Sequence, residues 1–139
     1  MVSVMDAISA LSDKKALSIF KYVALSESNR SNILITRLGL NRKQFYSGMK
    51  RLSDAGLIIR ISGRYRLTSL GKIVFTMYRK IENAINNHHW KLKAIDSIIT
   101  SPDAEELPRE EMHNVITKLI DDREMKAILL PNMSSAITR

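Results

Sequence analysis

Residues 40–75 read LNRKQFYSGMKRLSDAGLIIRISGRYRLTSLGKIVF, and the fold turns on this stretch. Asn41 is an N-cap candidate with Gln44 three residues on, the spacing of a capping box, and Gly56 is a C-terminal stop. The residues between them therefore form a helix that runs to Ala55. Leu57-Ile58-Ile59-Arg60-Ile61 and Arg64-Tyr65-Arg66-Leu67-Thr68 are β-branched or aromatic runs on either side of Ser62-Gly63, a two-residue hairpin signal. Such a turn sets Ile61 opposite Arg64 and Ile59 opposite Arg66, with Arg60 and Tyr65 together on the other face. Thr68 or Ser69 then caps a further helix beginning at Leu70.

Upstream, Ser12 followed by Asp13, Lys14 and Lys15 marks a helix start, and Ala16, Ile19, Phe20, Val23 and Ala24 recur at helical spacing as far as Leu25. Ile33, Leu34, Arg37 and Leu38 make a short second helix stopped by Gly39. Two helices joined by a short turn containing Gly outline a helix-turn-helix. The order helix, helix, helix, hairpin, helix is that of a winged helix.

Downstream, Leu70 to Ile99 reads as one helix of about 30 residues spanning roughly 45 Å, with neither Gly nor Pro beyond Gly71. Val74, Tyr78, Ile81, Ile85, His88, Leu92, Ile95 and Ile99 repeat in alternating steps of four and three, the spacing of a coiled-coil seam. A second copy of the helix would supply the partner such a seam needs, giving a homodimer with C2 symmetry. The competing arrangement has the C-terminal helices fold back over the seam within one chain, and the two are compatible. In the dimer, His88 lies near its symmetry mate, so acidification loosens the pair.

Ser101-Pro102 or Leu107-Pro108 starts another helix, with Glu110 and Glu111 in its first turn and an apolar stripe of Met112, Val115, Ile116, Leu119 and Ile120. A last short helix through Met125, Ile128 and Leu129 ends before Pro131, and 132–139 is a loose tail. The expected architecture is mainly α with a small β-hairpin: residues 1–71 as a winged domain, 72–100 as a long dimerisation helix, and 101–139 as an acidic helical extension. That extension could serve dimer packing, a docking surface for another protein, or a lid over an effector pocket.

The chain has 139 residues, 45% hydrophobic and 26% charged, which suits a globular protein with a real core. It contains no cysteine, which excludes disulfides, thiol catalysis and Cys-type zinc sites. Met1 to Leu11 lacks a basic start and a continuous apolar core, and no run approaches the roughly 18 apolar residues of a membrane span, so a cytoplasmic protein is expected. The net charge is +8, and the first 71 residues hold 12 basic and 4 acidic side chains against 10 of each afterwards. Ser28 to Arg66 alone carries nine basic residues against Asp54, whereas from Ser101 onward there are 5 basic and 8 acidic residues. Charge concentrated in this way favours a polyanionic partner for the first half, nucleic acid above all.

On a helical wheel, Phe45, Met49 and Leu52 form one narrow stripe that faces the core. Lys43, Gln44, Tyr46, Ser47, Lys50 and Arg51 occupy the opposite side, a set suited to guanine, adenine and phosphate oxygens. Arg42, near the helix start, suits a phosphate. Arg64 at the hairpin tip has the reach to enter a minor groove or grip its rim, while Arg60 and Arg66 suit phosphates. Gly48 flanks the buried stripe, where it allows either close packing against the second helix or the approach of a phosphate.

The segments RKQFYSGMKRLSDAGLI, RISGRYRL and LTSLGKIVF resemble archaeal winged helix-turn-helix transcription regulators of the broad MarR and ArsR type. The resemblance covers Asp13 to about Tyr78 and implies a dimeric repressor or activator whose third helix enters the major groove and whose hairpin is the wing. Other functions have weaker support. An architectural chromatin protein, or a winged-helix interaction module of the transcription or replication machinery, fits the same elements. An enzyme is disfavoured: there is no Gly-rich phosphate loop, no HExxH and no nucleophile elbow. His88 and His89 diverge by about 100° on a helix and do not converge on a metal, so no metal or cofactor is expected. The expected partners are double-stranded DNA, a second copy of the chain and a protein at the C-terminal extension, in a cytoplasmic, nucleoid-associated setting.

Overall fold

The computed structural model describes residues 1–26, 30–101 and 108–130. The alternative helix start at Pro102 and the tail at 132–139 fall outside them. The described chain is mainly α: four helices, a two-stranded antiparallel hairpin, a long helix and two C-terminal helices. It divides into two compact units, Met1–Arg79 and Lys80–Arg139, and the division falls within the long helix rather than at a loop.

The first helix, α1 (Val4–Ser12), was not expected from the sequence. Ser3 and Asp6 close a capping box: the Ser3 hydroxyl accepts from the Asp6 N–H at 3.1 Å, and the Asp6 carboxylate accepts from the Ser3 N–H at 2.8 Å. These bonds, the one from the Ser3 backbone foremost, hold the Asp6 carboxyl below its usual range. Helix α2 (Lys14–Leu25) follows at once, capped by the Asp13 carboxylate on the Ala16 N–H at 2.9 Å. Ser12 thus ends α1, and the start signal expected at Ser12-Asp13 belongs to Asp13.

Helix α3 (Ser31–Leu38) stops at Gly39, whose φ of 65° lies in the left-handed region that glycine enters at no steric cost. Helix α4 (Arg42–Asp54) begins with the expected capping box between Asn41 and Gln44. Strands β1 (Ile58–Ile61) and β2 (Arg64–Leu67) pair in the expected register, Ile61 with Arg64, Arg60 with Tyr65 and Ile59 with Arg66. Ser62 at φ 52° and Gly63 at φ 76° form the tight turn, both in the positive-φ region that a type I′ hairpin demands.

Phe20, Phe45, Ile19, Leu34, Leu52 and Leu57 are completely buried and make the core of the first unit. Each such side chain contributes about 1.5–3 kcal/mol relative to exposure. The Phe20 ring meets Phe75 edge-on at 5.8 Å, and Phe45 meets Tyr65 at 6.0 Å, which ties the hairpin to α4. The Tyr65 phenol oxygen also accepts from the Ser31 hydroxyl at 3.3 Å, which reaches α3.

The junction between α4, the hairpin and the long helix α5 (Ser69–Ile99) is held by Thr68. Its N–H donates to the Leu57 carbonyl at 3.0 Å, its hydroxyl donates to the Gly56 carbonyl at 2.6 Å, and the hydroxyl oxygen accepts from the Gly71 N–H at 2.8 Å. Gly71 is buried there, and a Cβ at this position would lie 2.1 Å from the Leu57 carbonyl oxygen. This contact explains why the LTSLGK segment needs glycine.

In the second unit, α6 (Arg109–Leu119) and α7 (Arg123–Leu129) fold back over the later part of α5. Ile95, Ile116 and Ile120 are buried together, with Leu92, Met112, Leu119, Met125, Leu129 and Leu130 packed around them. The Asp122 carboxylate caps α7 on the Met125 N–H at 3.0 Å, and Lys80 pairs with Glu124. Covering of the α5 seam within one chain therefore holds for Leu92 and Ile95.

Candidate nucleic-acid interface

Helix α4 turns Phe45, Met49 and Leu52 into the core, and this fixes what its other side presents. Arg42, Lys43, Tyr46, Ser47, Lys50 and Arg51 are all exposed, and Gln44 is half-buried. The exposed Tyr46 ring packs edge-on against buried Phe45 at 5.1 Å, so its direction is set from below.

Two members of this set already have protein partners. The Gln44 carbonyl oxygen accepts from the Asn41 N–H at 3.1 Å, which holds the side chain at the helix start and leaves its amide NH2 to donate. The Lys50 ammonium bonds the Asp54 carboxylate at 2.8 Å, and this hydrogen bond, followed by the charge of Asp54, raises the lysine above its ordinary value. An exposed pair of this kind is weak enough to exchange for a phosphate.

Gly48 is explained by packing. A Cβ there would meet Ile19 Cδ1 at 2.8 Å and the Ala16 Cα at 3.5 Å, so the close partner is α2 and not the helix that immediately precedes α4. The expectation of packing against the second helix named from the sequence is corrected to this extent. The α2–α4 approach is close because Ala16 and Gly48 have so little side chain between them.

On the hairpin, Arg60, Arg64 and Arg66 are all exposed. Strand alternation sends Ile58, Arg60, Tyr65 and Leu67 to one face and Ile59, Ile61, Arg64 and Arg66 to the other. Tyr65 is buried, and the Arg60 guanidinium lies over its ring at 5.7 Å from the centroid, so Arg60 leaves the core-side face across an aromatic ring. The opposite face leaves Ile59 and Ile61 about half exposed, at 47% and 49%. The cross-strand register alone places these isoleucines on the same face as Arg64 and Arg66.

The expected dimer seam divides. Val74 and Tyr78 are half-buried within the first unit, where Val74 packs against its core and the Lys21 ammonium lies 5.5 Å from the Tyr78 ring centre. His88, Leu92 and Ile95 are covered within the second unit, while Ile81, Ile85 and Ile99 are exposed. Leu70, Ile73 and Met77, which the four-three register omitted, are also exposed. The signal that could have found them is the step of three and four from Leu70 itself.

His88 has its neighbours in its own chain. Nδ1 lies 3.4 Å from the Asn83 carbonyl oxygen and Nε2 lies 3.5 Å from Asp121 Oδ1. The hydrogen bond from His88 is the main cause holding the Asp121 carboxyl below its ordinary range, with its own backbone and the Lys91 charge adding to it. The repulsion between symmetry mates on which the acid-sensitivity of His88 rested is therefore not what surrounds this ring.

Among the described residues, no group of three His, Asp or Glu side chains is placed to hold a metal ion, and no helix is long and apolar enough to cross a membrane. Comparison with protein-family models, curated proteins and solved structures finds no match for this chain.

Proposed function

We propose that the chain is a homodimeric, sequence-specific regulator of transcription that binds double-stranded DNA, a winged helix-turn-helix with α4 in the major groove and the β1–β2 hairpin as the wing. The observation that carries this reading is the exposed side of α4, where Arg42, Lys43, Tyr46, Ser47, Lys50 and Arg51 stand out from a helix whose opposite side is locked in the core. Asp54 is the only carboxylate in the sequence between residues 30 and 81, against eight basic residues from Arg37 to Arg66, so α4 and the hairpin carry a strong excess of positive charge. Lys43 and Arg51 are the principal side chains for base edges and phosphates, Gln44 adds an amide donor, and Lys50 exchanges Asp54 for a phosphate. Arg60, Arg64 and Arg66 hold the backbone beside the groove that the wing enters. The second copy docks on the exposed apolar side of α5, and two wings then address two half-sites. Such a protein works beside the nucleoid in the cytoplasm.

The test is selection of bound duplexes from a random pool, followed by affinity measurements across a salt series. A recovered sequence preference is expected, with affinity falling steeply as salt rises through counterion release. Lys43→Ala with Arg51→Ala weakens binding at low salt, and Arg64→Ala flattens the salt slope by about one unit if its contact is a phosphate. Equal affinity of wild type and the variant combining Lys43→Ala, Arg51→Ala and Arg64→Ala refutes the reading, and steep salt dependence with no preferred sequence makes the protein architectural instead.

A further inference from the structure

The outward face of the hairpin is uncovered among the described residues, and it combines two features. Ile59 and Ile61 leave about half of each side chain in water, while Arg64 and Arg66 stand directly across from them. A two-stranded sheet with its other face on the core gains nothing from apolar side chains on this side, because threonine serves strand propensity in water equally well. A second copy of this face is a poor occupant, since two copies would bring four arginines together and the hairpin itself contributes no carboxylate. No acidic residue lies between Ala55 and Ile81 in the sequence. The occupant this chemistry fits is polyanionic at its rim and apolar within.

We infer that Ile61, beside Arg64 at the hairpin tip, is an apolar wedge that enters the minor groove and unstacks a base step, so that the protein bends the DNA it binds. This rests on the DNA-binding reading above and deepens it. Only Ser62 and Gly63 lie beyond Ile61, so this residue sits at the end of the hairpin, with its side chain on the outward face. The arginines supply the attraction of the groove's negative potential, and the isoleucine, half exposed in the free protein, becomes buried between bases. Ile59, two residues back on the same face and about 6.8 Å away, lies along the sugar edges. Wedges of this kind kink DNA by roughly 20–90° toward the major groove.

The experiment uses the full chain and a duplex recovered by selection, labelled at both ends for energy transfer and carrying 2-aminopurine at successive steps. The wild type is expected to shorten the end-to-end distance and to raise 2-aminopurine fluorescence at one step. Ile61→Thr keeps a β-branched residue at a half-exposed site and so keeps the fold. It is expected to bind with the same salt slope and about fivefold weaker affinity, and to leave the duplex straight and stacked. A wild type that binds the duplex without bending it, or an Ile61→Thr protein that unstacks it equally, overturns the wedge while DNA binding stands. Ile61→Thr with unchanged affinity and unchanged bending assigns the face to another partner and likewise overturns it. A wild type with no salt-dependent affinity for duplex DNA overturns both readings.

Discussion

Gly48 and Gly71 are both buried in helices, and a methyl group would meet different atoms at each. At Gly71 the obstacle is backbone, the Leu57 carbonyl oxygen at 2.1 Å, which cannot move without dragging β1 and the Thr68 bonds with it. Gly71→Ala is therefore expected to destabilise by about 3 kcal/mol or more. At Gly48 the obstacle is the terminal methyl of Ile19 at 2.8 Å, and a small rotation clears it while alanine gains about 1 kcal/mol of helix propensity. Gly48→Ala should stay within about 1 kcal/mol of wild type, and urea unfolding of the two variants checks the contrast. Asp121 offers a pH test at the same scale. Its carboxyl is depressed below the ordinary 3.8, chiefly by the bond from His88. A depressed folded value means that its contribution is complete above the unfolded value and is lost as pH falls through the folded one. Between about pH 5 and 2, the unfolding midpoint of wild type should thus fall further than that of Asp121→Asn. The part due to Asp6, depressed by Ser3, remains in both proteins. A difference that is constant across the interval refutes the link.

At the scale of elements, Thr68 joins three of them. Its hydroxyl caps α5 at Gly71 and satisfies the Gly56 carbonyl beyond α4, so one side chain fixes where the hairpin is inserted between two helices. Thr68→Val keeps the shape but removes both hydroxyl bonds. A loss of about 1–2 kcal/mol is expected, measured as a shift in the urea midpoint with an unchanged m-value. Helix α1 makes the complementary point about legibility. Ser3 and Asp6 have capping-box spacing and Val4, Ala7, Ile8 and Leu11 recur at helical steps, so α1 was written in the sequence; only the small Ala7 and Ala10 and Leu11 turn to the core, while Val4, Met5 and Ile8 are exposed at 75%, 70% and 55%. Helix α4 was legible because its cap, its stop and its Phe45–Met49–Leu52 stripe agree. The hairpin was legible because its register follows from a two-residue turn alone.

For the whole molecule the open quantity is the assembly. Ile81 and Ile85 are each 60% exposed on α5, an apolar load that a second copy would bury. Light scattering at micromolar concentration is expected to report about twice 15.8 kDa. Ile81→Asp with Ile85→Asp should return the mass to that of one chain with an unchanged circular dichroism spectrum, because neither side chain belongs to a core. A wild-type mass of one chain at every accessible concentration removes the dimer from the reading. Leu92→Asp serves as the contrast: it faces the Ile95–Ile116–Ile120 cluster, so it should unfold the second unit rather than simply separate two copies.

The sequence by itself determined whatever depends on neighbours along the chain: helix caps at Asn41, the stop at Gly39, the turn at Ser62-Gly63, the strand register, and the concentration of positive charge between residues 28 and 66. Local hydrogen bonds and backbone dihedrals are short-range, and a pattern of a few residues specifies them. Only the tertiary structure decided which apolar residues of α5 are covered. A stripe at helical spacing records that a face is buried somewhere, not by what, and neighbouring stripes on one long helix overlap. Val74 and Tyr78 went to the first unit, His88, Leu92 and Ile95 to the helices of the second, and Ile73, Met77, Ile81 and Ile85 were left facing water. The same holds for Gly48, whose need for a small side chain was visible, while the identity of the helix that requires it was set by how α2 and α4 pack.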